Sequence, residues 1–316
     1  GKNDFARARI EFRNAIQLKD DFLPAWRAIA SLEEKQQNWP AANAALRRIA
    51  NLDPKDIDTR LQLATMALFS GHFQEALEWA DVANLIDPAN ARTHALRAAT
   101  LFKTGDETTA LQEARRSLEL APGNKEAITV LAAERFAHED NDGALQLLGT
   151  ITGNATDDPG VELFRIKIYQ KAGELDQAEQ RLRNLVERYP QDQTLSTQLL
   201  QFYLARDKKD QAEELLRRAA DADTRNSAAG LALVGFLKDA RGEATARREL
   251  VQRLKQAADP FPYKMALAEF DIATGHGEAA EDQLKAIVKD DKAPDHVKAA
   301  QLRLAQLYVA TKRFAL

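Results

Sequence analysis

Small and apolar residues recur along this chain at steps of three and four, and the whole pattern then repeats every 34 residues. Stepping by that period from Ala76, in "FQEALEWA", meets Ala42 and Ala8 in one direction. In the other it meets Ala110, Ala144, Ala178, Ala212, Ala246 and Ala280. Four residues on lies a second column that runs from Phe12 and Leu46 to Leu250 and Leu284, and seven on a third from Ala15 and Ile49 to Ile287. Spacings of three and four put these columns on one face of a helix. A second apolar stripe precedes each of these helices, for example Leu61, Leu63, Ala64, Ala67 and Leu68. Turn signals separate the two, as at Gly71–His72, Gly105–Asp106 and Gly173–Glu174, and prolines close several units at Pro54, Pro88, Pro122 and Pro190. Each period therefore predicts helix, tight turn, helix, tight turn. No stretch alternates with period two, so strands are not expected.

The segment "AWRAIASLEEKQQNWPAANAALRRIANLDP" resembles the tetratricopeptide repeat family, with its pattern of W, then L-G, then A-x3-F, then P. Trp26 stands at the tryptophan, Ile29–Ala30 at the L-G pair, Ala42 at the alanine, Leu46 at the F position and Pro54 at the proline. The resemblance implies an all-α, right-handed superhelical α-solenoid of 34-residue helix-turn-helix repeats, with residues 1–316 as one solenoid. Residues 1–22 would be a partial first repeat, 23–294 eight repeats, and 295–316 a partial last repeat. Neither end reads as a polar capping helix, so the expectation is a piece of a longer chain, or ends that pack on something else. Three stretches depart from the pattern: Gly149–Gly160, Ala257–Lys264, and Lys289–His296, the last lengthening its period by about three residues if Phe314 matches Phe73.

Composition narrows the function. Of the 316 residues, 45% are apolar and 29% charged, with a formal net charge of −4. That balance argues against a nucleic-acid partner, which calls for a strongly basic face. The pairs Arg47–Arg48, Arg115–Arg116, Arg217–Arg218 and Arg247–Arg248 lie among acids on expected helices and read as solvated faces. No apolar run reaches the length of a membrane span. With no cysteine in the chain, disulfides, thiolate zinc sites and cysteine nucleophiles are excluded.

The stretch "SGHFQEALEWADVANLIDPAN" spaces His72, Glu75, Glu78 and Asp81 by three, residue types from which a metal site or acid–base pair is built. Yet His72 occupies the turn place held elsewhere by Asn38, Asp106, Asp140 and Glu174, which predicts a capping-type residue. Each such step also rotates by about 300°, and three together carry Asp81 away from the histidine. His94, His138, His276 and His296 are expected to stand alone, without acids in a ligand pattern. "GHGEAA" at Gly275 follows no strand and is not a phosphate loop. No catalytic residue, metal site or cofactor is expected, and the chain does not read as an enzyme.

In the family that the repeats resemble, the first helix of each unit lines a concave face that holds a partner. The corresponding places here are Arg27, Ser31, Glu34 and Lys35, then Leu61, Thr65, Leu68 and Phe69. Next come Arg92, Ala95, Ala99, Phe102 and Lys103, then Thr129, Ala133, Phe136 and Ala137, then Leu163, Phe164, Lys167, Gln170 and Lys171. Two readings compete for Leu68, Phe102 and Phe136: packing between neighbouring helices, or an apolar stripe open to a partner. Leu61 and Thr65, or Ala95 and Ala99, fill places where carboxylate-clamping members carry Lys and Asn, and no asparagine ladder is present. The resemblance implies a protein–protein interaction scaffold for a protein or peptide partner, with self-association through uncapped ends as a further outcome. The alternative is the regulatory or docking region of a larger enzyme or secretion machine. "ARARIEFRNAIQLKDDFLPAW" is loosely similar to exported bacterial repeat proteins of exopolysaccharide and cell-envelope assembly, which sets the periplasm ahead of the cytoplasm.

Overall fold

The computed structural model describes residues 2–152, 158–223 and 225–310. All regular structure among them is helical, and the chain divides into two compact units, Gly1–Arg181 and Leu182–Leu316. The first unit contains α1 (Lys2–Leu18), α2 (Leu23–Lys35), α3 (Trp39–Leu52), α4 (Ile57–Phe69), α5 (Phe73–Ile86) and α6 (Ala91–Thr104). It continues with α7 (Glu107–Leu120), α8 (Lys125–Ala137), α9 (Asn141–Gly149) and α10 (Pro159–Ala172), and α11 (Leu175–Arg188) spans the division. The second unit holds α12 (Gln193–Ala205), α13 (Lys209–Ala222), α14 (Ser227–Arg241), α15 (Glu243–Gln256), α16 (Phe261–Ala273), α17 (Gly277–Asp290) and α18 (Pro294–Ala310).

Each repeat is written by three local devices. Six of the even-numbered helices, α4 to α14, start on a column of Asp or Asn: Asp56, Asn90, Asn124, Asp158, Asp192 and Asn226 each accept a backbone N–H of the first turn. Most of the even-numbered helices end on a left-handed residue: Gln37, Gly71, Gly105, Glu139, Gly173, Asp207 and Gly275 all have positive φ. The next residue then donates its N–H to the carbonyl five residues back, as from His72 to Ala67 (2.8 Å) and from Asp106 to Leu101 (3.1 Å). Glycine reaches this conformation without strain, but Gln, Glu and Asp occupy it too. The predicted capping column is correct in place and only partly in chemistry. Asp106 and Asp140 cap with their side chains, whereas Asn38 and His72 sit at the cap position without a side-chain bond to the first turn.

The third device is the alanine column. Ala42, Ala76, Ala110, Ala144, Ala178, Ala212, Ala246 and Ala280 are each fully buried. A methyl group there lets the two helices of a repeat approach closely, while larger residues fill the space on either side. Ala8 is only half-buried. In the first unit, Ile29, Leu46, Ile49 and Leu63 form one apolar cluster, Ala95, Ala98, Ala114 and Val130 a second, and Ile128, Leu148, Val161 and Ile168 a third. In the second unit, Leu233, Leu237, Leu250 and Tyr263 pack together, as do Leu284, Ile287, Ala300 and Leu307.

Two of the three departures from the pattern restart on local signals. After the short α9, Asp158 and Pro159 restart the pattern by capping and opening α10. Phe261 begins α16, with Pro262 in a first-turn position where its missing N–H costs nothing. At Gly242 the turn is one residue tighter, and this glycine has φ 88° and ψ 166°. Phe314, invoked for the last period, lies outside the described residues. Among the described residues no helix is long and apolar enough to cross a membrane.

Candidate binding surface

The first helices of the repeats in the first unit, α2, α4, α6, α8 and α10, share a face whose exposure follows the 34-residue columns. Ser31, Thr65, Ala99, Ala133 and Lys167 form one open or half-open column, and Lys35, Phe69, Lys103, Ala137 and Lys171 form another that is exposed throughout. Glu34, Leu68, Phe102 and Phe136 are half-buried beside it.

The expected column through Leu61 is a correction. Leu61 is 2% exposed and Ala95 is likewise buried, while Gln62 is the residue beside Thr65 that reaches the surface. A helix advances about 100° per residue, so an assignment one place out turns an open position into a core one. Leu61 belongs to the core and not to a partner-binding face.

The competing readings of the apolar stripe separate residue by residue. Phe102 packs on the cluster of Ala95, Ala98 and Ala114, and Phe136 on that of Ile128 and Leu148. Phe136 also meets Phe164 edge-on, with ring centres 5.6 Å apart. Packing between helices accounts for these two. Phe69 is different: it is 86% exposed at the end of α4, and it borders a groove with Trp39, Thr65, Met66 and Arg92. Trp39, which projects from α3 into this groove, went unnoticed in the sequence because it lies in a second helix.

Charge around the face is mostly compensated. Arg27 donates to Asp56 (2.9 Å) and Asp53 (3.4 Å), and Arg92 donates to Asp58 (2.9 Å) on the preceding first helix. Burial pushes the Asp56 carboxyl up, but bonds from Thr59 and Arg27 outweigh it and hold it below the usual carboxylate range. The Lys167 and Lys171 ammonium groups stand 5.6 and 5.0 Å from the centre of the Phe136 ring.

The other chemistry can be placed in the same way. Around His72 no cluster forms: Glu75 accepts from Arg47 and Trp79, and Asp81 pairs with Arg97 of α6. The expectation that the other histidines stand alone is corrected at three of them. His94 contacts Glu113 (2.6 Å) and the Pro88 carbonyl (2.9 Å), and His296 contacts Asp291 (3.1 Å) while stacking on Phe261. His138 lies 3.2 Å from Glu107 and 3.8 Å from Glu134, and the three offer ligand atoms within 4.8 Å of one another. The acids come from neighbouring helices and from one turn back, so spacing along the chain does not reveal the first of them.

A family model of the tetratricopeptide repeat matches residues 34–100, 135–201 and 169–237, together more than half of the chain. A stretch of 139 residues, 42% of this chain, is 27% identical to the tetratricopeptide repeat and J domain-containing co-chaperone DNJ1 of Fusarium oxysporum f. sp. lycopersici. The match spans only 26% of that protein's length. Among solved structures, the thermophilic TPR protein TTC0263 of Thermus thermophilus is similar at 17% identity and a TM-score of 0.49, over 55% of this chain and 95% of that one. A MamA structure is similar at 12% identity and a TM-score of 0.42, over 55% and 93%. With its alanine column, its paired helices and the matched model over most of the same residues, the chain belongs to the tetratricopeptide repeat family.

Proposed function

We propose that this chain is a protein-interaction scaffold whose first unit holds a partner segment along the open face of its first helices. The observation that carries the reading is Phe69. It is a large aromatic side chain left 86% exposed beside Trp39, Met66 and Thr65, with Arg92 and Glu34 at the rim of the same groove. An exposed aromatic in a groove with charged margins is the usual anchor of a protein contact. The test is selection of binders from a displayed peptide library, followed by measurement against Phe69→Ala and Arg92→Ala. Peptides that bind the wild type and weaken about tenfold or more on Phe69→Ala support the groove. Selected peptides indifferent to both substitutions refute it.

A second reading is favoured by the fungal relative, whose name couples tetratricopeptide repeats to a J domain. In that reading the repeats are the docking part of a larger machine, and the open face receives what that machine acts on. A role in envelope or exopolysaccharide assembly, with a periplasmic setting, belongs to the same proposal. Fractionation of the native host and recovery of cross-linked partners through position 69 separate these settings.

A further inference from the structure

One column of the open face carries more information than its exposure. At successive 34-residue steps it reads Lys35, Phe69, Lys103, Ala137, Lys171, and all five residues are exposed. Each stands at or next to the last residue of α2, α4, α6, α8 and α10. These helices are neighbours: Arg27 of α2 bonds the cap of α4, α4 touches α6, α6 touches α8, and Phe136 of α8 meets Phe164 of α10. Lysine thus alternates with an apolar residue from repeat to repeat.

A lysine in the last turn of a helix is favoured by the helix dipole, and this accounts for part of the pattern. The dipole is served equally by any last-turn position, as α14 shows with Lys238 and Arg241. It does not call for one column. In the second unit that column continues as Ala205, Asp239 and Ala273, with no lysine. Lys35 and Lys103 have no carboxylate partner among the described residues, and Lys171 has only the highly exposed Glu139 at 3.6 Å. On the same face Arg27 and Arg92 are already neutralised by acids. Together with Lys167 of the neighbouring column, which also lacks a carboxylate partner among the described residues, this column holds the uncompensated positive charge of the face.

We infer that the partner held by the first unit is an extended acidic segment with widely spaced carboxylates and an apolar side chain between them. This rests on the scaffold reading above and names its ligand class. Neighbouring helices lie roughly 10 Å apart, so successive lysines are about 20 Å apart. An extended chain covers that distance in about six residues, which sets the spacing of the acids, with the apolar side chain about three residues from each. A nucleic-acid strand carries a charge roughly every 3.4 Å and would leave most of its phosphates unmatched by so sparse a row.

Fluorescence anisotropy with the full chain tests this using three probes. One is a labelled peptide of about fifteen residues with glutamates about six apart and leucines midway. The second has the same composition with its glutamates contiguous, and the third is oligo-dT of matched length. The spaced peptide is expected to bind tightest. Combined Lys35→Glu, Lys103→Glu and Lys171→Glu should weaken it about tenfold or more, and the corresponding Lys→Gln set by less, with melting temperatures unchanged. Equal binding of spaced and contiguous peptides, tighter binding of oligo-dT, or indifference of the spaced peptide to both lysine sets overturns the inference. If a library peptide that depends on Phe69 binds the triple Lys→Glu variant undiminished, the ladder fails and the scaffold stands. If no peptide depends on Phe69, both fall.

Discussion

Two residues six apart on α4 make opposite predictions about stability. Leu63 has no exposed surface and packs against Ile29, Leu46 and Ile49, whereas Phe69 is 86% exposed. Truncating a fully buried leucine removes its transfer energy and leaves a cavity, a loss of about 3 kcal/mol or more. A phenylalanine buries about 200 Å² when fully enclosed, so Phe69 covers only about 30 Å², worth roughly 0.7 kcal/mol. The better helix propensity of alanine returns roughly half of that. Phe69→Ala should therefore be almost neutral for folding, while Leu63→Ala should be severe. Urea unfolding followed by circular dichroism gives the magnitudes, and hydrogen exchange gives the place. In a repeat array each unit leans on its neighbours, so Leu63→Ala should raise exchange mainly in α2 to α5. A loss above about 2 kcal/mol for Phe69→Ala, or below about 1 kcal/mol for Leu63→Ala, would refute the division of α4 into a core side and an open side.

Three further outcomes are expected. Gly105→Ala should cost about 1 kcal/mol for its left-handed φ, and Gly242→Ala about 1–3 kcal/mol because φ 88° with ψ 166° is open to glycine alone; Gln37→Gly should instead stabilise, all read from urea midpoints. Asn90→Ala should lose about 1 kcal/mol with its cap bond to Thr93, while His72→Ala, where no side-chain cap exists, should change the midpoint by less than about 0.5 kcal/mol. Burial pushes the Asp271 carboxyl up, but Arg247 and Gln283 outweigh it and hold it below the ordinary value of 3.8. Its contribution is thus present above the unfolded-state pKa and is lost as pH falls through the lower folded value. Thermal melts of wild type and Asp271→Asn should converge as pH drops below about 4, and parallel curves would contradict this.

The repeat itself was legible because its signal is periodic and because each column reports burial directly. Eight of the nine alanines on the period are fully buried, and the glycine turns fall where they were expected. The open face was less legible. On α4 the buried residues Leu61, Leu63, Ala64 and Ala67 wrap around much of the helix, which packs on α3, α5 and α6 at once. So wide a buried arc leaves a narrow open strip, and periodicity does not fix it to better than one residue. Contacts between repeats were hidden for another reason. Arg92 with Asp58, Arg97 with Asp81, and His138 with Glu107 each join residues at least sixteen apart, and charged residues at these spacings look like solvated surface in sequence. The polar turn residues at Gln37 and Glu139 carried no signal of positive φ, because the turn bonds impose it rather than the side chain.

The left-handed turn has a consequence for how such a chain can grow or shrink. Gly71 and Gly105 both have left-handed φ, 76° and 88°, and each is followed by a residue that donates the same bond to the helix behind it. Excising residues 72–105 would join Gly71 to Asp106 and rebuild an equivalent junction, with Ala110 arriving where Ala76 had been. Duplicating the same block would lengthen the molecule with no new joint to invent. These turns are seams at which whole units can be spliced, so length is a property that the chain can change without renegotiating its fold.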